Sequence, residues 1–294
     1  MHIGTVLCPV DFSAVDRGEL AIAVEVCRTF GARLVVHHNV SAPALGFARV
    51  WDWEREHEGR EHRRPAAEAR LRAVLADLAG VVPAEAVVTV GPLGQVVLGL
   101  ARELRADLVV LGSHGWSTPE HVSVAERLIA SSPCPVLTFD ARAGTPDFRL
   151  RDAGPLRVVV PTDLTLASAA AVAYACDLAR VLPLQIDLLH VIDALHARRQ
   201  STAAAESALD ALVPPDLVDR VESHTLLGTA APAIIDHVYA TTPAFAILGE
   251  HAHGSLRGLL TRDTTSEVMR GVRCPVWVVP PATAAAAEKA DARG

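Results

Sequence analysis

The chain carries one pattern twice at very long range. Val6-Leu7-Cys8-Pro9-Val10-Asp11-Phe12-Ser13 returns as Val158-Val159-Val160-Pro161-Thr162-Asp163-Leu164-Thr165, and His38 returns as His190 at the same offset of 152 positions. Gly91 and Gly112 return as Gly228 and Gly249 at an offset of 137, and Cys134-Pro135-Val136 as Cys274-Pro275-Val276 at 140. Solenoid and propeller repeats run to roughly 20–50 residues, so a period this long denotes two whole domains. The changing offsets locate the differences between the copies. The first has 15 extra residues between His38 and Gly91 and lacks three between Gly112 and Cys134.

A chain of 294 residues is long enough for two domains that each bury a core. Short runs of Val, Ile and Leu alternate with stretches of helical length. Strands are predicted at about 3–10, 33–40, 86–91, 107–112 and 135–139, then at 156–161, 184–191, 221–227, 244–248 and 275–279. Apolar spacing predicts helices at 14–30, 94–105, 166–181 and 230–241. Strands apolar on both faces, alternating with helices, indicate a parallel sheet covered on each side. The expected architecture is α/β: two tandem Rossmann-like doubly wound domains, each a five-stranded parallel sheet with helices on both faces. The domains span 1–140 and 156–281, with a linker at 141–155 and a disordered tail at 282–294.

Several function classes are disfavoured at once. The net charge is −7, a poor basis for nucleic-acid binding, which draws its affinity from neutralised phosphates. Lys289, in the Ala-rich tail, is the only lysine, so the folded part offers no Walker, Schiff-base or catalytic lysine. The five cysteines form no CxxC pair and are odd in number, which argues against a disulfide framework and a zinc ribbon. No apolar run approaches the 18 or so residues of a membrane span, and the N-terminus lacks the regions of a signal peptide. A cytoplasmic protein without nucleic-acid or membrane partners is expected.

The ordered set PVDFS, a second strand ending near His38, ADLVVLGSHG, a helix and CPVL, repeated as VPTDLT, LLHVID, FAILGEH and CPVWVV, resembles the universal stress protein superfamily in its tandem form. The resemblance covers nearly the whole chain. It implies an adenine-nucleotide crevice built by the acid after the first strand, backbone near the end of the second, and a G-x2-G-x9-G-[S/T] loop after the fourth. The positions implied are Asp11, Val40, Gly112, Gly115 and Ser123 in the first half, and Asp163, Val191, Gly249 and Arg262 in the second. Glycines admit phosphate to the backbone, and a following helix offers N–H groups and a positive dipole end.

Neither half keeps the full loop. In the first, six residues separate Gly115 from Val122-Ser123, and Ser117-Thr118-Pro119-Glu120 reads as a helix start. In the second, the spacing is intact but Ala252, Arg262 and Asp263 stand where glycines and a hydroxyl are expected. Asp11 and Asp163 can equally cap helices with no ligand.

Among 13 histidines, His251 and His253 with His237 form the best cluster, but their spacing matches no established ligand pattern, so no metal is expected. The charged segment from Trp51 to Arg64 reads as a solvated helix pairing Glu56 with Arg60, or as a partner-binding edge. No nucleophile elbow or HExxH stands in the chain. The expectation is a non-catalytic stress-response protein with degenerate nucleotide pockets, acting through protein partners and holding no firm cofactor. An ATP-binding switch in the first half, with slow hydrolysis, is the alternative. The resemblance also implies pairing through the fifth strands: 135–139 with 275–279 would make the chain an intramolecular pseudo-dimer, and a further homodimer stays open.

Overall fold

Val- and Leu-rich runs become strands and the helically spaced stretches become helices in the computed structural model, which describes residues 1–12, 16–40, 53–113, 124–140, 148–151, 154–193, 201–250 and 264–281. The first half gives β1 (Thr5–Val10), α1 (Asp16–Phe30), β2 (Arg33–Val40), α2 (Trp53–Leu78), β3 (Ala84–Val90), α3 (Leu93–Glu103), β4 (Leu108–Ser113), α4 (Val124–Ser131) and β5 (Val136–Asp140). The second gives β6 (Leu156–Pro161), α5 (Leu166–Ala179), β7 (Leu184–Ile192), α6 (Thr202–Asp210), a 3-10 turn (Pro215–Arg220), β8 (Val221–Leu227), α7 (Ala230–Thr241), β9 (Phe245–Gly249), α8 (Thr264–Gly271) and β10 (Val276–Val279). No described helix is long and apolar enough to cross a membrane.

The strands follow the order β3-β2-β1-β4-β5 in one half and β8-β7-β6-β9-β10 in the other, all parallel within each half. The expected pairing of the fifth strands is present: β5 and β10 run antiparallel, with Val276, Trp277 and Val278 opposite Thr138, Leu137 and Val136. The halves therefore share one ten-stranded sheet. Each fifth strand would otherwise be an unpaired apolar edge.

The repeated landmarks have backbone causes. Gly91 and Gly228 turn the chain from third strand to following helix at φ of 149° and 146°, a conformation L side chains avoid. The 15 extra residues of the first copy go largely into α2, which runs 26 residues against nine for α6. That helix continues well past Arg64, through Pro65. Glu56 and Arg60 both fall on this helix, as expected, but their side chains are not among those described, and the tail at 282–294 lies outside the described residues. The second half adds α6, which the sequence pattern did not predict; Ser201 Oγ caps it by accepting from the Ala204 N–H at 3.2 Å.

Side chains alternate across the sheet into two cores. One face packs Ile22, Val26, Leu71, Leu137, Ala175 and Trp277 beneath α1, α2 and α5; the other packs Val97, Leu128, Val136, Ile234, Val268 and Val276 beneath α3, α4, α7 and α8. The five cysteines are free thiols; four are buried and the fifth, Cys274, is partly so. Burial pushes the Cys27 thiol up to about 12 and Cys274 to about 11, so neither is a thiolate near neutrality.

The seam has its own anchors. Trp277 is fully buried, 5.4 Å from the Phe245 ring edge-on and 5.9 Å from Tyr174. Phe148, on the connecting segment, lies 6.0 Å from Phe245. Leu150 is fully buried, and its N–H donates to Glu25 Oε1 of α1 at 2.8 Å. On the other face Arg270 of α8 donates through Nε to buried Glu126 of α4 at 2.9 Å, joining the two halves.

A polar chain crosses β2 and β3. Thr89 Oγ1 donates to Asn39 Oδ1 at 3.0 Å, so His37 Nε2 must donate to Thr89 at 2.7 Å. His37 is fully buried, and burial, helped by neighbouring His38, lowers its pKa from 6.5 to about 4. The unfolded chain then binds this proton before the folded one. His37 therefore contributes a fall in stability as pH drops from 6.5 to about 4.

Two outcomes follow. Trp277→Ala should cost about 3–5 kcal/mol in denaturant unfolding and Trp277→Phe much less, because the indole N–H has no partner among the described residues and only the ring packs. His37→Leu, the residue that position 189 holds in the other half, should remove about 3 kcal/mol of the stability difference between pH 7 and pH 4. Unfolding midpoints across that range for both proteins provide the check.

Candidate functional site

In an open α/β sheet the crevice forms beyond the carboxyl ends of the strands where the order reverses. Here that is between β1 and β4, and between β6 and β9. Asp11 and Asp163 stand exposed just past β1 and β6. The next residues, Phe12 and Leu164, take φ of 62° and 63°, so each chain turns sharply from strand into helix.

His38 and His190 hold these turns in place. Each donates its Nδ1–H at 2.8 Å to the carbonyl of the residue before the aspartate, Val10 or Thr162. The repeated histidines thus tie the ends of the first and second strands together. In the first half the Phe12 ring lies 4.3 Å from the His38 ring, with the Arg70 guanidinium 4.5 Å over its face. This stack occupies the mouth of the crevice beside Asp11.

Gly112 ends β4, as its motif position requires, but the space beside it is taken. A Cβ at Gly112 would stand 2.8 Å from both Cγ and Cδ of Glu19, whose buried side chain lies on α1. Glycine here admits a carboxylate from the protein itself. Val40 is buried at the end of β2. Gly115 and Ser123, and the predicted helix start at 117–120, lie outside the described residues.

Asp163 is engaged with its own helix. Its Oδ1 accepts from the Thr165 N–H at 3.0 Å, the Thr165 hydroxyl at 2.6 Å and the Ser168 hydroxyl at 2.7 Å. Thr162 lies 2.8 Å from Ser168 and accepts from the Leu164 N–H at 3.1 Å. The N-cap of α5 is Thr165, whose Oγ1 accepts from the Ser168 N–H at 3.5 Å, and Asp163 braces that cap from two residues before it through the Thr165 and Ser168 hydroxyls. Gly249 is buried; its carbonyl accepts from Thr265 Oγ1 at 3.0 Å, and the next residue, Glu250, is also buried. The residue matching Val40 is Ile192, one beyond Val191, which matches Asn39 instead. Arg262, His251 and His253 lie outside the described residues.

His237 has other company than His251 and His253. With Asp187 and His224 it forms a group whose ligand atoms all lie within 4.8 Å, on the sheet beneath α7 and away from both crevices. Spacing did not reveal it, because the three lie on separate elements. A column-by-column comparison of the two copies could have done so.

The sequence model of the Universal stress protein family matches residues 2–139 and again residues 156–280. No curated protein matches the chain. Among solved structures, a universal stress protein from Archaeoglobus fulgidus DSM 4304 is similar over 95% of this chain and 97% of its own, at a TM-score of 0.71 and 19% identity. A functionally unknown protein from Pseudomonas aeruginosa PAO1 is similar over 95% and 93%, at 0.61 and 14%. Those likenesses carry the fold, and the double family match carries more: this chain belongs to the universal stress protein family and bears its domain twice.

Proposed function

We propose that the protein is a non-catalytic, cytoplasmic stress-response protein whose two crevices are poorly suited to polyphosphate and which acts by contacting other proteins. The observation that carries this reading is the Glu19 carboxylate seated against Gly112, where the phosphate loop of the first half begins. A carboxylate there opposes a triphosphate both by charge and by filling the approach that glycine leaves open. The second crevice repeats the obstacle with buried Glu250 directly after Gly249, and Asp163 already accepts from Thr165 and from the Ser168 hydroxyl at the start of α5. Five free cysteines suit a reducing compartment.

The competing reading is an ATP switch in the first half, in which Asp11 and Gly112 act with Gly115 and Ser123. Calorimetric titration of the nucleotide-free full chain with Mg-ATP separates the two. The proposal expects no saturable heat up to about 1 mM ATP, an affinity no better than about 4 kcal/mol. It also expects Glu19→Gln to bind ATP better than the wild type. Saturable binding in the wild type that Asp11→Ala abolishes would establish the switch instead.

A further inference from the structure

We propose that Asp187, His224 and His237 form a binding site for a single transition-metal dication of the zinc type. The site is separate from both crevices and does not depend on how they treat nucleotide.

The three residues reach one point from three elements. Asp187 of β7 is buried, its side chain only 3% exposed, while His224 projects from β8 and His237 from α7, which lies across those strands. Asp187 Oδ2 is 3.2 Å from His237 Nε2, and Oδ1 is 3.9 Å from His224 Nε2. The two imidazole rings are 5.1 Å apart between centroids. In a tetrahedral site with bonds of about 2.0–2.1 Å, neighbouring ligand atoms stand roughly 3.4 Å apart. One distance already suits that geometry and the other closes with a small rotation of His224.

Two imidazoles and one carboxylate are a donor set that zinc accepts, with a fourth position left for water or a further ligand. Glu222, next but one to His224 on β8, brings Oε2 to 3.8 Å from His224 Nε2 and can supply that position.

His224 Nε2 gives the second argument. The atom is buried and has no hydrogen-bond partner among the described residues, although it points at an acidic pair. A buried polar nitrogen left so costs stability unless something fills its lone pair. His237 Nε2 donates to Asp187 here; on taking the Nδ1–H tautomer it too presents a lone pair to the same point.

The other half of the chain supplies the third. The positions equivalent to Asp187, His224 and His237 are Val35, Val87 and Leu100, all packed in the matching core. Identical backbone surroundings therefore accept three apolar residues, so packing does not explain the polar trio in the second half.

One group competes. Arg157 Nη1 lies 3.2 Å from Asp187 Oδ2, yet its side chain is half exposed and can turn to solvent when a dication takes its place.

The test uses the full chain, stripped with chelator and titrated with ZnCl2 by calorimetry, with metal content read by mass spectrometry. A single zinc ion per chain is expected. The double variant His224→Val/His237→Leu borrows the apolar residues of the other half, so circular dichroism should show it folded. It should bind zinc about 100-fold more weakly or not at all. Arg157→Gln should tighten binding about tenfold by removing the competing cation. Cobalt in place of zinc should give the visible absorption of a tetrahedral centre. Zinc binding that survives in the double variant but is lost in His251→Ala/His253→Ala would move the metal to those two histidines and overturn the proposal. Failure of the wild type to take up zinc at about 10 µM, well above the affinity such ligand sets reach, would overturn it too.

Discussion

The antiparallel pairing of β5 with β10 is the contact on which the rest of the structure depends. It is short, with three residues of each strand in register, yet it changes two five-stranded sheets into one of ten. Because strands are parallel within each half and antiparallel at the seam, the carboxyl ends of the two sets point in opposite directions. The two crevices consequently open at opposite ends of the sheet. Neither can complete the other, and each must be judged on its own residues. Trp277, Phe245 and the Glu126–Arg270 pair reinforce the seam from both faces.

Much of the fold was legible because it rests on local pattern. The β-branched runs at 33–40, 156–161 and 221–227 are strands of that extent, and the apolar spacing of 230–241 is a helix of that extent. The seam was legible through the family resemblance, which implies that the fifth strands of a tandem chain pair with each other. The length of α2 was less so: the charged segment read as a helix stops at Arg64, whereas the helix runs on through Pro65 to Leu78. The Ala-rich α6 has no apolar periodicity strong enough to announce it.

The site was legible in position but not in content. Sequence placed Asp11, Asp163, Gly112 and Gly249 at the crevices. It did not show that Glu19, the fourth residue of α1, packs against Gly112, nor that Ser168 would join Thr165 in claiming Asp163. Such contacts depend on the angle at which a helix leaves its strand, which the turns at Phe12 and Leu164 set. The Asp187 cluster was hidden for a related reason: its members are 37 and 13 positions apart and meet only through β7–β8 pairing and the crossing of α7. The two copies hold different polar inserts on one scaffold. His37, Asn39 and Thr89 in the first answer to Leu189, Val191 and Leu226 in the second, while the trio beneath α7 reverses the arrangement. A duplicated core can thus carry separate chemistry in each half without a change of backbone.

Hydrogen exchange at the seam tests this account most directly. If β5 and β10 lie in the interior of one continuous sheet, the amides of residues 136–138 and 276–278 should exchange only through global opening, as slowly as those of β1 and β6. Exchange at the rapid rates of an exposed edge, with β1 and β6 still protected, would mean that the halves are separate sheets and that the shared architecture described here is wrong.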